Sequence, residues 1–133
     1  MEKDFEERGK RRKRDAKEAN ALKEKGNSFL KKGLYKSAIK FYSDAIEIKK
    51  DLMPLYSNRA LARNKIDDWN GAINDCSTVL DYCECFEDGY EKSRDLCYKA
   101  LSRRGVAHRG LRNYDLAKKD FEAAIELISS NPN

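Results

Sequence analysis

In the stretch ALKEKGN, residues 21–27, Lys23 and Asn27 stand four apart beside Gly26. Four residues is about one helical turn, so on a helix the two side chains point the same way. A cation beside an amide is half of a site for something negatively charged. The ammonium supplies charge and the amide hydrogens orient the guest. Other chemistry is poorly provided for. The sequence holds one histidine, His108, with no Ser/His/Asp set, phosphate-cradling Gly loop or carboxylate pair placed for a pocket. Nothing is left for catalysis, and an enzyme is not expected. Glu24 and Asp44 read as solubilising residues on exposed helix faces. The cysteines Cys76, Cys83, Cys85 and Cys97 lack finger-like spacing and a histidine partner, so neither a metal nor any other cofactor is expected. Cys76 and Cys97 fall on apolar helix faces and read as small core residues.

The elements that could position such a site are helical. Of 133 residues, 38% are charged and 40% hydrophobic, with only two Pro and seven Gly, the composition of a helical domain with a real core. Mean hydropathy is −0.89, and no apolar run approaches the roughly 20 residues of a membrane span. The N-terminus lacks the apolar stretch of a signal peptide, which points to an intracellular, cytoplasmic or nuclear, protein. Net charge is +5 and the pI about 9.0. The densest basic block, Lys10–Arg14, is offset by Glu2, Asp4, Glu6, Glu7, Asp15 and Glu18. It reads first as a solvated helix end; the alternative is a nucleic-acid patch or nuclear signal. No interleaved aromatics follow it, so nucleic-acid binding is the weaker reading.

A repeat organises the chain. The segments YKSAIKFYSDAIEI, WNGAINDCSTVLDY and YDLAKKDFEAAIEL each open on an aromatic: Tyr35, Trp69, Tyr114. Three residues later comes Ala38, Ala72 or Ala117, then Tyr42, Cys76 or Phe121, then Ala45, Val79 or Ala124. The first alanines are 34 residues apart and the next pair 45, which is 34 plus an insertion of 11. A second helical pattern precedes each segment, with small residues at one equivalent place: Gly26, Ala60, Gly105. Glycine inside a helix costs about 1 kcal/mol relative to alanine, and is tolerated where another helix must come close. Each unit is therefore helix, short turn, helix, with turns at KGLY, IDDW and LRNY. One hairpin cannot bury its apolar face alone; three stacked hairpins can.

The 34-residue period with Leu22, Gly26, Phe29, Ala38, Tyr42 and Ala45 resembles the tetratricopeptide repeat, over roughly residues 20–128. Two departures are Lys50, where the repeat often has Pro, and Arg63, which replaces a large apolar residue. The resemblance implies an all-α fold: three stacked helix-turn-helix repeats in a right-handed superhelix with a concave groove. The expected organisation is a charged helical extension (1–18), repeat one (19–52), repeat two (53–80), an acidic insertion (81–95), repeat three (96–128) and a tail (129–133).

In that family the first helix of each repeat lines the groove. Here those helices offer Lys23 and Asn27, then Asn58 in YSNRA, then Lys99 and Arg103, again four apart. Three cations and two amides, with no carboxylate among them, make sense if an anion visits. The set resembles the two-carboxylate clamp of tetratricopeptide co-chaperones. The resemblance implies a partner: the Glu-Glu-Val-Asp C-terminus of heat-shock chaperones of 70 or 90 kDa, not a small-molecule substrate. Lys23, Asn27 and Asn58, with Lys99, would hold the terminal main-chain carboxylate. Lys99 and Arg103 would reach the final Asp side chain or the adjoining backbone. Leu61, one turn after Asn58, and Asn64 and Lys65 on the same surface are the expected groove neighbours that shape the apolar part of the pocket. The alternative is a scaffold without a working clamp that binds an internal segment of its partner.

The insertion, with Asp81, Glu84, Glu87, Asp88 and Glu91, is expected to lengthen a flanking helix, with a bend at Gly89. Similar lengthening, and the stretch RRGVAHRGLRNY, gives a narrower resemblance to co-chaperones that assemble axonemal dynein. Most clamp modules of the family end in a seventh helix. Here ELISSNPN ends on Asn131-Pro132, a helix stop, so the chain is expected either to be cut from a longer protein or to leave its last apolar face open to self-association.

Overall fold

The computed structural model describes residues 2–86 and 93–129. Among them are six helices: α1 (Glu2–Lys31), α2 (Tyr35–Ile48), α3 (Met53–Lys65), α4 (Trp69–Phe86), α5 (Arg94–Gly110) and α6 (Tyr114–Ser129). Successive helices pack on one another, and α3 also touches both α1 and α5. The first helices of the hairpins therefore form one layer and the second helices another. None of these helices is long and apolar enough to cross a membrane.

Each hairpin closes in the same way. Gly33, Asp67 and Arg112, spaced 34 and 45 apart, all take φ between 63° and 77°. The next residue's N–H returns to the carbonyl five positions back: Leu34 to Phe29 (2.9 Å), Asp68 to Arg63 (2.8 Å) and Asn113 to His108 (2.8 Å). This left-handed helix ending satisfies carbonyls that the helix would leave orphaned. Only the first hairpin places Gly there; Asp67 and Arg112 accept the strain that an L side chain meets in that region.

The apolar period anticipated in the second helices is the one that is buried. Ala38, Tyr42 and Ala45 in α2, and Ala72, Cys76 and Val79 in α4, are all inaccessible, with Ala117 and Ala124 the counterparts in α6. The small residues opposite them are small for a steric reason. A Cβ on Gly26 would lie 2.7 Å from the Tyr42 ring, and one on Gly105 would lie 2.7 Å from the Phe121 ring. The middle hairpin pairs Ala60 with the smaller Cys76, both fully buried. Small opposite large, in register, sets the separation of each helix pair.

The 11-residue insertion is partly accounted for by α4, which has 18 residues against 14 in α2. The bend expected at Gly89 lies outside the described residues. At the other end of the chain α1 runs unbroken for 30 residues. Almost nothing before Ala19 is buried, and Phe5 stands 75% exposed. The outer face of α6 exposes Leu116, Ile125 and Ile128.

Gly26→Ala is expected to destabilise the fold. Overpacking against a buried ring costs about 1–3 kcal/mol, and the helix-propensity gain of roughly 1 kcal/mol offsets only part of it. Denaturant unfolding of this variant measures the difference. Asp67→Gly, which relieves the positive φ, is expected to raise stability in the same assay by up to ~1 kcal/mol.

Candidate functional site

Three of the anticipated residues converge where the layer of first helices meets α2. Asn27, on α1, accepts at Oδ1 from two donors: the Tyr42 hydroxyl of α2 at 2.5 Å and Nδ2 of Asn58, on α3, at 3.2 Å. Arg103, on α5, reaches across to α3, where its Nη1 donates to the Ser57 carbonyl (2.8 Å) and to Ser57 Oγ (2.7 Å). Ser57 is buried and adjoins Asn58, so the guanidinium is tied to the backbone beside the second amide.

Electrostatics set Arg103 apart. Burial lowers its pKa from the ordinary arginine value, partly countered by Cys76, Tyr42 and Asp95. Among the described residues no carboxylate makes an ion pair with it, while Arg59, Arg63 and Arg104 all have one. Among the described residues its hydrogen bonds go to Ser57, a neutral partner, and a partly desolvated cation so placed gains from an anion that completes its shell. Its planar fork suits a carboxylate.

Asn64 departs from expectation. It does not line the groove surface beside Leu61 and Lys65: it is buried at 8% exposure, and its Nδ2 donates to the Arg103 carbonyl at 2.9 Å. Its role is to pin α5 to α3. Leu61 is half-buried and Lys65 exposed. The carboxylate-free groove also needs correction at Lys99. Asp95, one turn earlier on α5, lies 3.0 Å from its Nζ, with the two side chains 49% and 82% exposed. Lys23 lies 3.9 Å from the exposed carboxylate of Glu24. Exposed pairs of this kind are weak and exchange readily for a better anion.

Sequence reasoning missed a second polar system, which is structural. Arg59 grips Asp75 with both ends of its fork (2.7 and 2.9 Å) and reaches Ser43 at 3.0 Å; Arg63 adds a contact to Asp75 at 3.0 Å. Forty-five residues on, Arg104 grips Asp120 (2.8 and 2.9 Å) and reaches Ser77, with His108 Nε2 3.6 Å from the same carboxylate. In the first hairpin the equivalent positions hold Lys25, Phe41 and Phe29: the ammonium sits 5.9 Å from the Phe41 ring centre, and the two rings stack at 5.2 Å. Arg63, a departure from the repeat by residue type, is accounted for by Asp75. The signal available in the sequence was the 34- and 45-residue offset among these triplets.

Models of the tetratricopeptide repeat match residues 19–52 and 98–131. Mouse "Tetratricopeptide repeat protein 12" is 40% identical over 127 residues, which is 96% of this chain and 16% of that protein, so the chain spans about a sixth of the relative's length. Among solved structures, the first tetratricopeptide domain of Spaghetti (RPAP3) bound to the HSP90 peptide SRMEEVD has a TM-score of 0.72 at 32% identity, covering 87% of this chain and 83% of that one. The second such domain of human RPAP3, in complex with the HSP70 peptide SGPTIEEVD, has a TM-score of 0.73 at 30% identity, covering 89% of each chain.

Two buried groups give the fold a pH dependence. Burial pushes the Tyr42 hydroxyl up to about 12 from 10.0, with Arg103 opposing and Glu24 adding, and pushes the Cys76 thiol up to about 12 from 9.0, with Asp75 adding. As pH rises above about 9 the unfolded chain releases these protons before the native chain does. Stability is expected to be flat up to there and to fall by at least ~1 kcal/mol as pH climbs toward 12. Chemical denaturation across that range checks this, and Cys76→Ala should flatten the slope.

Proposed function

This chain belongs to the tetratricopeptide repeat family, and from that premise we propose that it docks the Glu-Glu-Val-Asp C-terminus of heat-shock chaperones of 70 or 90 kDa. The observation that carries the reading is Arg103: a partly desolvated guanidinium with no carboxylate in its contacts among the described residues, set beside Asn58. The relatives bound to peptides ending in EEVD support the same guest.

In this reading Asn27 and Asn58 donate amide hydrogens to the terminal main-chain carboxylate, with Lys23 adding charge from one turn before Asn27. Arg103, with Lys99 one turn before it, takes the final Asp side chain. Leu61 and the stem of Lys65 border the space left for the apolar side chain of the tail. Lys99 exchanges Asp95 for the guest, an exchange between exposed partners that costs little.

Calorimetric titration with a peptide ending in Glu-Glu-Val-Asp, and with the same peptide amidated at its C-terminus, tests this. The free acid is expected to bind at least about tenfold more tightly, roughly 1.4 kcal/mol. Arg103→Ala and Lys23→Ala should each weaken it by at least ~1 kcal/mol. Equal binding of acid and amide would sink the proposal and favour a scaffold for an internal segment.

A further inference from the structure

The proposed site depends on which way one amide is turned. A carboxylate guest needs hydrogens from Asn27; turned over, the same side chain presents its oxygen and repels the guest. Two neighbours fix the turn. The Tyr42 hydroxyl lies 2.5 Å from Asn27 Oδ1 and Asn58 Nδ2 lies 3.2 Å from it. Tyr42 is itself fully buried, its ring lodged against Gly26. A phenol can donate or accept, so the direction of its proton needs a cause. Asn58 supplies one: its Nδ2 also reaches Asn27 Oδ1, and an amide oxygen can only accept, so the phenol donates its proton there. With burial holding the phenol near 12, that proton is present at any pH well below this value.

The other hairpins show that the pair is not needed to build the fold. The positions equivalent to Asn27 and Tyr42 are Leu61 and Cys76 in the second hairpin, and Val106 and Phe121 in the third. Both are apolar, and both hairpins pack. A polar pair stands only where the first helix carries Asn27.

We propose that Tyr42 is a positioning residue of this site: its buried hydroxyl locks the Asn27 amide with Oδ1 turned inward and both Nδ2 hydrogens toward the groove. The assignment rests on the reading that the groove receives a chain-terminal carboxylate.

The test compares wild type and Tyr42→Phe, each titrated with the free-acid peptide ending in Glu-Glu-Val-Asp and with its amidated form. Tyr42→Phe keeps the ring and removes only the hydroxyl. It is expected to cut the preference for the free acid by about fivefold or more while leaving amide binding unchanged. In an Asn27→Ala background, Tyr42→Phe should cause no further loss. A variant that keeps the wild-type preference, or that weakens acid and amide equally, overturns the assignment. Should Tyr42→Phe fail to fold, NMR of the wild type decides. The Asn27 side-chain amide proton resonances must shift with the free-acid peptide and stay put with the amide; no shift overturns the assignment. A wild type that does not discriminate between the two peptides overturns the reading of the site itself, which is a different result from either.

Discussion

The structure depends on how closely the two helices of each hairpin approach. Where the first helix carries Gly26 or Gly105, the aromatic ring of the second helix occupies the space a methyl would take. This contact sets interhelical distance, and through it everything the first helices present. It also has a chemical by-product in the first hairpin. A ring pressed onto position 26 puts its hydroxyl beside position 27, so the packing that closes the hairpin also delivers a donor to Asn27. Phe121 packs on Gly105 in the same manner but brings no hydroxyl. The proposed site is thus an elaboration of one core contact.

The layers are tied by a second device that repeats with the chain. Asp75 and Asp120 are buried carboxylates, each gripped by an arginine from the neighbouring first helix, and each arginine also reaches a serine of the preceding hairpin. Charges so enclosed are tolerated because every partner is present; removing one would strand the others. The first hairpin has no earlier neighbour among the repeats, and there Lys25 and Phe41 take the places of the arginine and the aspartate, with Phe41 stacked on Phe29, the counterpart of Arg63. The contrast separates two kinds of cation on the first helices. Arg59 and Arg104 are consumed by the fold. Arg103, next in sequence to Arg104, points elsewhere, and among the described residues its side chain bonds to the hydroxyl and carbonyl of Ser57.

The architecture was legible because helical stacking imposes a strict period. The alanine and small-residue positions recur at 34 and 45 and are the buried ones, whereas the opening aromatics run from half-buried Tyr35 and Trp69 to exposed Tyr114. The same register put Lys23 and Asn27, Asn58, and Lys99 and Arg103 on first helices, and they lie on α1, α3 and α5. What spacing could not tell was depth. Asn64 follows Lys23-type logic as a polar residue one turn from Leu61, yet it lies between α3 and α5 bonded to a main-chain carbonyl. Lys99 and Asp95 share one face of α5, a pairing that their spacing of four allowed but that attention to the cations alone passed over. Arg63 looked like a misfit because its partner Asp75 lies twelve residues on, across a turn. The polar contacts of Ser57 and Tyr42 were invisible for a related reason. One acts through its backbone as much as its side chain, and the other matched a core position so well that its hydroxyl went unread.

The middle hairpin solves the same packing problem with sulfur. Cys76 sits where its neighbours carry rings, sealed from solvent, and its thiol stays protonated far above neutrality. A thiol in that state is a poor nucleophile toward peroxides, alkylating agents and disulfides alike. Cys83 and Cys97 are likewise enclosed. Choosing cysteine for its size therefore carries no redox liability at these positions, and the groove should keep its shape through oxidative swings that would modify a surface thiol.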